Sequence, residues 1–398
     1  MTVSLRRPGT LDLSGQSDAG LPSYDLLQDE PQLRQWLAER GEVLQLRRYQ
    51  RYKPATSLVM AVELGSGPAF LYGVSPVAAP KLEKLVAKAP VGSVLAVDRS
   101  RLLLLARIEA DRDLPALKDV PAAAADLSRD GSRLQTGPVT TLVHKPQRRW
   151  VGLATSDEQQ VLLRAYRAQV LPDAVARYRL ARSIRAGSAQ RVIATSPRHA
   201  LMAVPYLPGR TLEQIVLADA EPGRSSEAAL RATGQALATM HARPCDPAAV
   251  PVAQHAWPAA TAQLISTLLP ALAADVAEIL RRLRRTQPRP NPATVCHGDF
   301  SADQVILSTD EELRFIDFDR AGLADPATDL AGLRAAGLRS THFDTVLSGY
   351  TTVRAEPAHL DWHVAHARLL QAADPFRSAR PDWPQLIADR LRVLQGEW

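Results

Sequence analysis

The spacing of apolar and polar positions divides the chain into two strand-like stretches followed by a helical one. Leu58-Val59-Met60-Ala61-Val62 and Ala69-Phe70-Leu71-Tyr72 flank Gly65-Ser66-Gly67 and predict a hairpin. A helix is expected near Lys81–Ala89, then strands Ser93–Val97 and Leu102–Ile108 around a turn at Asp98–Ser100. The same order recurs after Lys145-Pro146: strands Trp150–Ala154 and Val161–Tyr166, a helix near Asp173–Ile184, and strands Arg191–Thr195 and Ala200–Tyr206. From Thr211 onward the period is that of helices, near 226–242, 257–285, 328–336, 341–354, 357–372 and 384–395. One strand-rich stretch, Thr294–Asp319, interrupts them.

The recurrence is numerical as well as qualitative. Lys53-Pro54 and Lys145-Pro146 stand 92 positions apart (145 − 53), as do Phe70-Leu71 and Leu162-Leu163 (162 − 70). The later strand pairs are offset by 98, so the second helix region is about six residues longer than the first. An internal duplication of a strand-strand-helix-strand-strand unit accounts for both offsets. Residues 1–27, rich in Ser, Gly, Asp and Pro, read as a mobile arm. Glu30-Pro31 opens a short helix through about Glu39, with Leu33, Trp36 and Leu37 on one face. The expected organisation is a β-rich cap module at 28–117, a linker at 118–138, a second β-rich module at 139–207 and a helical lobe at 208–398.

Composition narrows the function classes. The 398 residues are 46% hydrophobic, enough for more than one packed domain. The formal net charge is +6, but arginine is spread along the chain. Its densest run, Arg281-Arg282-Leu283-Arg284-Arg285, closes a helical pattern, where cations complement the helix dipole. No interleaved aromatics support base stacking, so no nucleic-acid partner is expected. Cys245 and Cys296 lie far apart, without the spacing of a zinc site or a disulfide framework. No apolar run is long enough to span a membrane and no signal-peptide pattern opens the chain, so a cytoplasmic protein is expected.

The strand-rich interruption carries the chemistry. Val295-Cys296-His297-Gly298-Asp299 is followed by Asp303-Gln304, and after a short turn by Ile316-Asp317-Phe318-Asp319. Apolar runs around fixed polar positions predict buried strands delivering carboxylates to one edge. Phosphoryl transfer needs a carboxylate to orient the attacking hydroxyl, oxygen ligands for magnesium, and donors for the transferred group. Asp299 and Gln304 match the kinase catalytic-loop spacing of an Asp, four residues and an amide, and Asp317 matches the metal-binding Asp on the next strand.

These segments, with Asp325-Pro326 and Asp329-Leu330-Ala331, resemble the aminoglycoside phosphotransferase and choline kinase superfamily over roughly 140–385. Tyr206-Leu207-Pro208-Gly209 resembles its hinge, and Met240-His241 its Leu-His helix end. The resemblance implies an α+β, two-lobed protein-kinase-like fold, and the repeat offsets put before it a further β-rich module that duplicates the N-lobe. It implies ATP and Mg2+ as cofactors and a small-molecule hydroxyl acceptor: a sugar, aminosugar, aminoglycoside or amino alcohol. Asp299 is then the catalytic base, and Gln304, Asp317 and Asp319 are metal ligands. Arg164 grips phosphate, and Val204, Tyr206 and Leu207 meet adenine. Glu356, Asp361 or Asp374 would meet a cationic acceptor.

Three departures weaken the ATP grip. Arg164 stands where the family has Lys. No Glu partner follows it, Asp173 being the nearest acid, and the turn Thr155–Gln159 lacks glycine. Gln304 replaces the usual Asn, as in the maltokinase branch, which also carries an extra N-terminal module and so makes a sugar kinase a subtype to test. The competing function is a pseudokinase-like binding module with a decayed ATP grip. Several residues have plain structural readings: Asp329 braces the catalytic loop or caps a helix, His297 donates to nearby backbone, and His241 and Cys296 pack.

Overall fold

The structure is a computed structural model that describes residues 17–396, except 130–131, 135, 157–158, 185–189, 219–223, 246–249 and 254–256. It opens with helices α1 (Tyr24–Gln28) and α2 (Glu30–Ala38) and strands β1 (Leu44–Lys53), β2 (Ser57–Leu64) and β3 (Gly67–Val74). Helix α3 (Ala79–Lys88) leads to β4 (Val94–Asp98) and β5 (Leu103–Arg107), closing an antiparallel sheet of order β1-β2-β3-β5-β4. Residues 1–16 of the expected mobile arm lie outside the described residues. The rest of it is docked: Leu21, Tyr24, Leu26 and Leu27 are buried.

The segment expected to be a linker is also folded. It carries α4 (Val120–Ala125), β6 (Ser128–Arg129) and β7 (Ser132–Arg133). Ala123, Ala124 and Leu127 pack with Leu114 and Leu117 on Trp150, Leu163 and Ala203 of the second sheet. Small apolar residues there satisfy a sheet face, which composition alone reads as a spacer.

The second sheet adds β8 (Thr140–Lys145), β9 (Arg149–Ser156), β10 (Gln159–Tyr166), helix α5 (Leu171–Ser183), β11 (Ala194–Ser196) and β12 (Leu201–Pro205). Its order is β7-β6-β11-β12-β10-β9-β8. Five of its strands, β8-β9-β10-β12-β11, reproduce the first sheet. Val59 pairs with Tyr72, and Val151 with Arg164, each residue moved by 92. Leu71 pairs with Leu105, and Leu163 with Ala203, moved by 92 and 98. Register is set by side-chain burial, and a one-residue slip would invert every face. Shared register across two hairpins therefore supports the duplication.

The chain then leaves through β13 (Gly209–Thr211) into α6 (Leu212–Ala218), α7 (Arg224–His241), α8 (Ala259–Leu268) and α9 (Ala273–Arg285). The single helix expected over 257–285 is two, because Pro270 lacks the donor a continuous helix needs. Short strands follow: β14 (Thr294–Cys296), β15 (Val305–Ser308), β16 (Leu313–Phe315) and β17 (Gly322–Ala324). Helices α10 (Ala327–Ala335), α11 (Ser340–Thr351), α12 (Leu360–Gln371), α13 (Asp374–Arg377) and α14 (Trp383–Gly396) complete the lobe.

Both faces of the first sheet are buried, which explains its nearly continuous apolar runs. Val59, Phe70 and Leu104 pack on α3 through Leu82 and Leu85. On the other face, Leu58, Met60, Val62 and Leu71 share one core with Ile265, Val276, Phe376 and Ile387 of the helical lobe. The N-terminal module is thus fused to that lobe. Gln50 adds a hydrogen bond of 2.9 Å from its Nε2 to the carbonyl of Phe376.

Helices α7 and α11 approach most closely at two glycines. A Cβ on Gly234 would lie 1.9 Å from the carbonyl oxygen of Val346, and one on Gly349 would lie 2.1 Å from that of Arg231. Gly234→Ala must push the helices apart, and a destabilisation of about 2–3 kcal/mol is expected from overpacking. Urea denaturation measures it; a variant as stable as the parent would contradict this packing.

Candidate active site

Period-two alternation places the N-lobe side chains. On β10, Val161, Leu163 and Ala165 face the 108–127 segment, while Arg164 and Tyr166 face the helical lobe. Arg149 is the cross-strand partner of Tyr166 and shares that face. Opposite them, Asp317 follows β16 in a left-handed conformation (φ 63°) and begins the turn carrying Asp319. A non-glycine residue held there is strained unless its surroundings dictate it, as happens at functional positions.

These residues form one charged lattice. Arg164 Nη2 donates to Asp317 Oδ1 at 2.6 Å and to Asp319 Oδ2 at 2.9 Å. Arg149 Nη1 donates to both Asp317 oxygens at 2.9 and 3.1 Å and also to Asp319. The Tyr166 hydroxyl accepts from Arg164 Nε and donates to Asp319 Oδ1, each at 2.8 Å. Burial alone would raise the Asp317 carboxyl, but the guanidinium groups of Arg164 and Arg149 outweigh it and hold that carboxyl well below the usual range. The same carboxylates hold Arg164 firmly protonated against the cost of its burial.

The lattice explains the missing Glu. Helix α5 offers Arg177 and Tyr178 to this region instead. Arg177 bonds the carbonyl of Ala321, and Arg164 lies 5.6 Å above the Tyr178 ring. Asp317 and Asp319 supply the counter-charge that Arg164 requires; no contact of Arg164 with Asp173 is seen among the described residues. The second expectation needs correcting. Because β8 precedes β9, the first hairpin turn of the repeated five-strand unit is Lys145–Arg149, and Thr155–Gln159 is the second. Asp157 and Glu158 of that second turn lie outside the described residues.

Asp299 follows β14, which pairs with β17, whereas Asp317 follows β16, which pairs with β15. The two carboxylates therefore come from different ladders rather than from one. Gly298 makes the loop possible. At φ 82°, a Cβ there would lie 2.4 Å from the Arg320 carbonyl oxygen. Asp329, 1% exposed, accepts from the amides of His297 and Gly298 at 2.7 and 2.8 Å and meets His241 Nε2 at 3.1 Å. It braces the loop, and His241 is its partner rather than a mere packing residue. The His297 ring meets the Ile316 carbonyl at 2.7 Å. The Gly298 loop is thereby tied to the strand leading into Asp317.

Arg320, unremarked in the sequence, donates to Asp299 Oδ1 at 3.1 Å. The Asp299 side chain is 53% exposed, yet the surrounding protein still thins the water around it. That desolvation raises its carboxyl, Arg320 opposes the rise, and Asp317 adds to it. If Asp299 is the base, the acid limb of kcat/KM must lie above that of an ordinary carboxylate. Arg320→Gln should move the limb further up, since it removes the opposing charge. A limb that stays in place or moves down would remove Asp299 from that role.

Gln304 is placed differently from expectation. Its Nε2 donates to Asp303 at 3.0 Å, and its carbonyl receives the amide of Ile316, one residue before Asp317. Backbone proximity is present, but the side-chain amide points to Asp303. The donor set of Asp317, Asp319 and Gln304 is all oxygen and suits a hard divalent cation once that amide turns. Val204, Tyr206 and Leu207 lie where β12 passes into the helical lobe. Val204 is in ladder register with Leu162, and the Tyr206 amide donates to Gln160 at 3.0 Å. Asp374 pairs with Arg377 at 2.8 Å on the helix packed against β1, and Glu356 and Asp361 are exposed.

A model of the phosphotransferase enzyme family matches residues 119–367. No curated protein matches significantly. Among solved structures, an aminoglycoside phosphotransferase APH(4)-Ia is similar at TM-score 0.50 and 14% identity, covering 65% of this chain and 94% of that one. A choline/ethanolamine kinase family protein from Mesorhizobium loti is similar at 0.49 and 19%, covering 70% and 94%. A putative fructosamine-3-kinase from Thermobifida fusca is similar at 0.47 and 19%, covering 69% and 99%. At 14% identity the first of these likenesses carries the fold alone.

Proposed function

The chain belongs to the phosphotransferase enzyme family, and on that premise we propose that it is an ATP- and magnesium-dependent kinase acting on the hydroxyl of a small molecule. The acceptor class is a sugar, aminosugar, aminoglycoside or amino alcohol, with a sugar favoured by the maltokinase-like Gln304 and additional N-terminal module. The carrying observation is the convergence of Arg164, Asp317 and Asp319 between the lobes, with Asp299 held beside them on a braced loop.

In this reading Asp299 orients the acceptor hydroxyl and takes its proton. The hydroxyl oxygen bonds to the γ-phosphorus, the bond to the β–γ bridging oxygen breaks, and ADP leaves. Arg164 holds phosphate oxygens, and the Val204–Leu207 hinge meets adenine through backbone groups. Asp317, Asp319 and Gln304 would hold magnesium, which neutralises the charge on the phosphates. The module at 28–117 is a cap, 139–207 the N-lobe and 208–398 the helical lobe. ATP use supports a cytoplasmic setting. Among the described residues, no helix is long and apolar enough to cross a membrane.

The absence, among the described residues, of a Glu partner for Arg164 favours a second reading, a pseudokinase-like binding module. Two measurements separate them. ATP binding with magnesium at millimolar concentration is expected of the kinase, and its absence overturns that reading. Acceptor-dependent ADP release is then expected in a screen of sugars, aminosugars, aminoglycosides and choline-like alcohols.

A further inference from the structure

We propose that Arg149 is a second polyphosphate ligand beside Arg164, and that the two arginines and the carboxylates of Asp317 and Asp319 form an interlock in which polyphosphate on the arginines and a divalent cation on the carboxylates each favour the other's binding. This rests on the kinase reading.

Position comes first. Arg149 ends the turn between β8 and β9, Lys145–Arg149, and projects from the same face as Arg164. Its guanidinium and that of Arg164 converge on the same two carboxylates, so an anion of similar reach meets both at once. Arginine suits such an anion because its planar fork matches phosphate oxygens. In the first copy of the repeat, Ser57 and Tyr72 stand at the places of Arg149 and Arg164. That copy has neither cation.

The turn is held rather than loose. The Gln147 amide, at φ 61°, donates to Asp111 at 2.7 Å, and His144 Nε2 meets the same carboxylate at 3.0 Å. Arg51 bonds the Gln147 side chain, and Arg148 reaches the Tyr49 hydroxyl at 3.5 Å. Asp111, Tyr49 and Arg51 all belong to the N-terminal module or its exit. That module therefore positions the turn that carries Arg149, by side-chain and backbone bonds where a glycine-rich loop would use backbone amides alone.

Charge supplies the coupling. Two guanidinium groups and two carboxylates balance in a lattice whose side chains are only 6–21% exposed. A divalent cation arriving alone must displace two arginines and leave them unpaired beside it, out of water, which is costly. A polyphosphate supplies the arginines with new partners and releases the carboxylates. Each ligand then favours the other, and that coupling is reciprocal.

The test uses the full chain and two separate probes. Inorganic tripolyphosphate is titrated by calorimetry with EDTA present, and Mn2+ is titrated without nucleotide by loss of the free-ion paramagnetic resonance signal. The parent should bind tripolyphosphate without metal and bind Mn2+ alone only weakly. Arg149→Gln should weaken tripolyphosphate and tighten Mn2+, each by about tenfold or more. The opposite signs are the signature, because a misfolded protein loses both and a plain phosphate ligand changes only the first. Arg149→Lys should give smaller shifts of the same signs and serves if the glutamine variant fails to fold. Arg101→Gln, which removes an exposed charge paired with Asp98, should change neither. Unchanged or weakened Mn2+ binding in Arg149→Gln overturns the interlock, and unchanged tripolyphosphate binding removes Arg149 as a ligand. If ATP with Mn2+ fails to bind the parent at millimolar concentration, the kinase reading itself falls.

Discussion

Asp299→Asn should lower kcat by about 10³-fold, a barrier increase of about 4 kcal/mol, with little change in KM for ATP. Asparagine keeps the shape of the carboxyl but neither accepts the hydroxyl proton nor carries the charge that orients it. The ATP KM should hold because Asp299 makes no contact with Arg149 or Arg164; its partner is Arg320. Loss confined to kcat marks an interaction made in the transition state rather than in nucleotide binding. The side chain is half exposed and, among the described residues, its one side-chain hydrogen bond is to an exposed arginine, so the fold should be unaffected. Steady-state kinetics with a melting curve reads both. Activity within tenfold of the parent, or a loss that follows the melting temperature, would remove Asp299 from the chemistry.

The fold was legible where two independent signals agreed. The 92-residue offset between Lys53-Pro54 and Lys145-Pro146 marks the ends of β1 and β8, and the paired registers of both hairpins follow it. What sequence reading missed was the consequence of that marker. If Lys145 ends a strand, then Lys145–Arg149 is the first turn of the N-lobe, and Arg149 is displayed beside Arg164. Strand β8, Thr-Thr-Leu-Val-His-Lys, alternates poorly because much of it is exposed at the sheet edge. Periodicity therefore gives no sign of it, and places the first turn of the repeat one hairpin too late.

The same limit applies to Arg320 and to the folded segment at 115–129. An exposed arginine after Asp319 carries no pattern, and its role depends on where the Gly298 turn brings Asp299. Alanines at 122–125 read as spacer because packing of small residues against a sheet leaves no amphipathic signature. By contrast, the place of Asp329 at a helix start predicts either a helix cap or a brace, because a carboxylate there has unpaired amides within reach. The amides it accepts from are those of His297 and Gly298 rather than of its own helix.

That brace gives the second large effect. Asp329→Ala should destabilise the protein by about 3–5 kcal/mol, since it leaves buried partners of a carboxylate unpaired. The amides of His297 and Gly298 and the ring of His241 all lose their acceptor at once, in a region excluded from water. Asp329→Asn should cost less, because one amide oxygen can still accept, but its NH2 faces donors. Burial would raise the Asp329 carboxyl, yet the bond from His241, the nearby His297 and the Gly298 amide outweigh it and hold it below the usual range. A depressed carboxyl means the unfolded chain binds more protons between the two values, so stability rises with pH across that window. The parent's advantage over Asp329→Asn should therefore be full at neutral pH and shrink as pH falls below about 4, where an unfolded Asp protonates. Urea denaturation at a series of pH values measures it. An advantage that grows toward acid would show that Asp329 is protonated in the fold, and the brace would then be a hydrogen-bond donor rather than the acceptor the loop amides require.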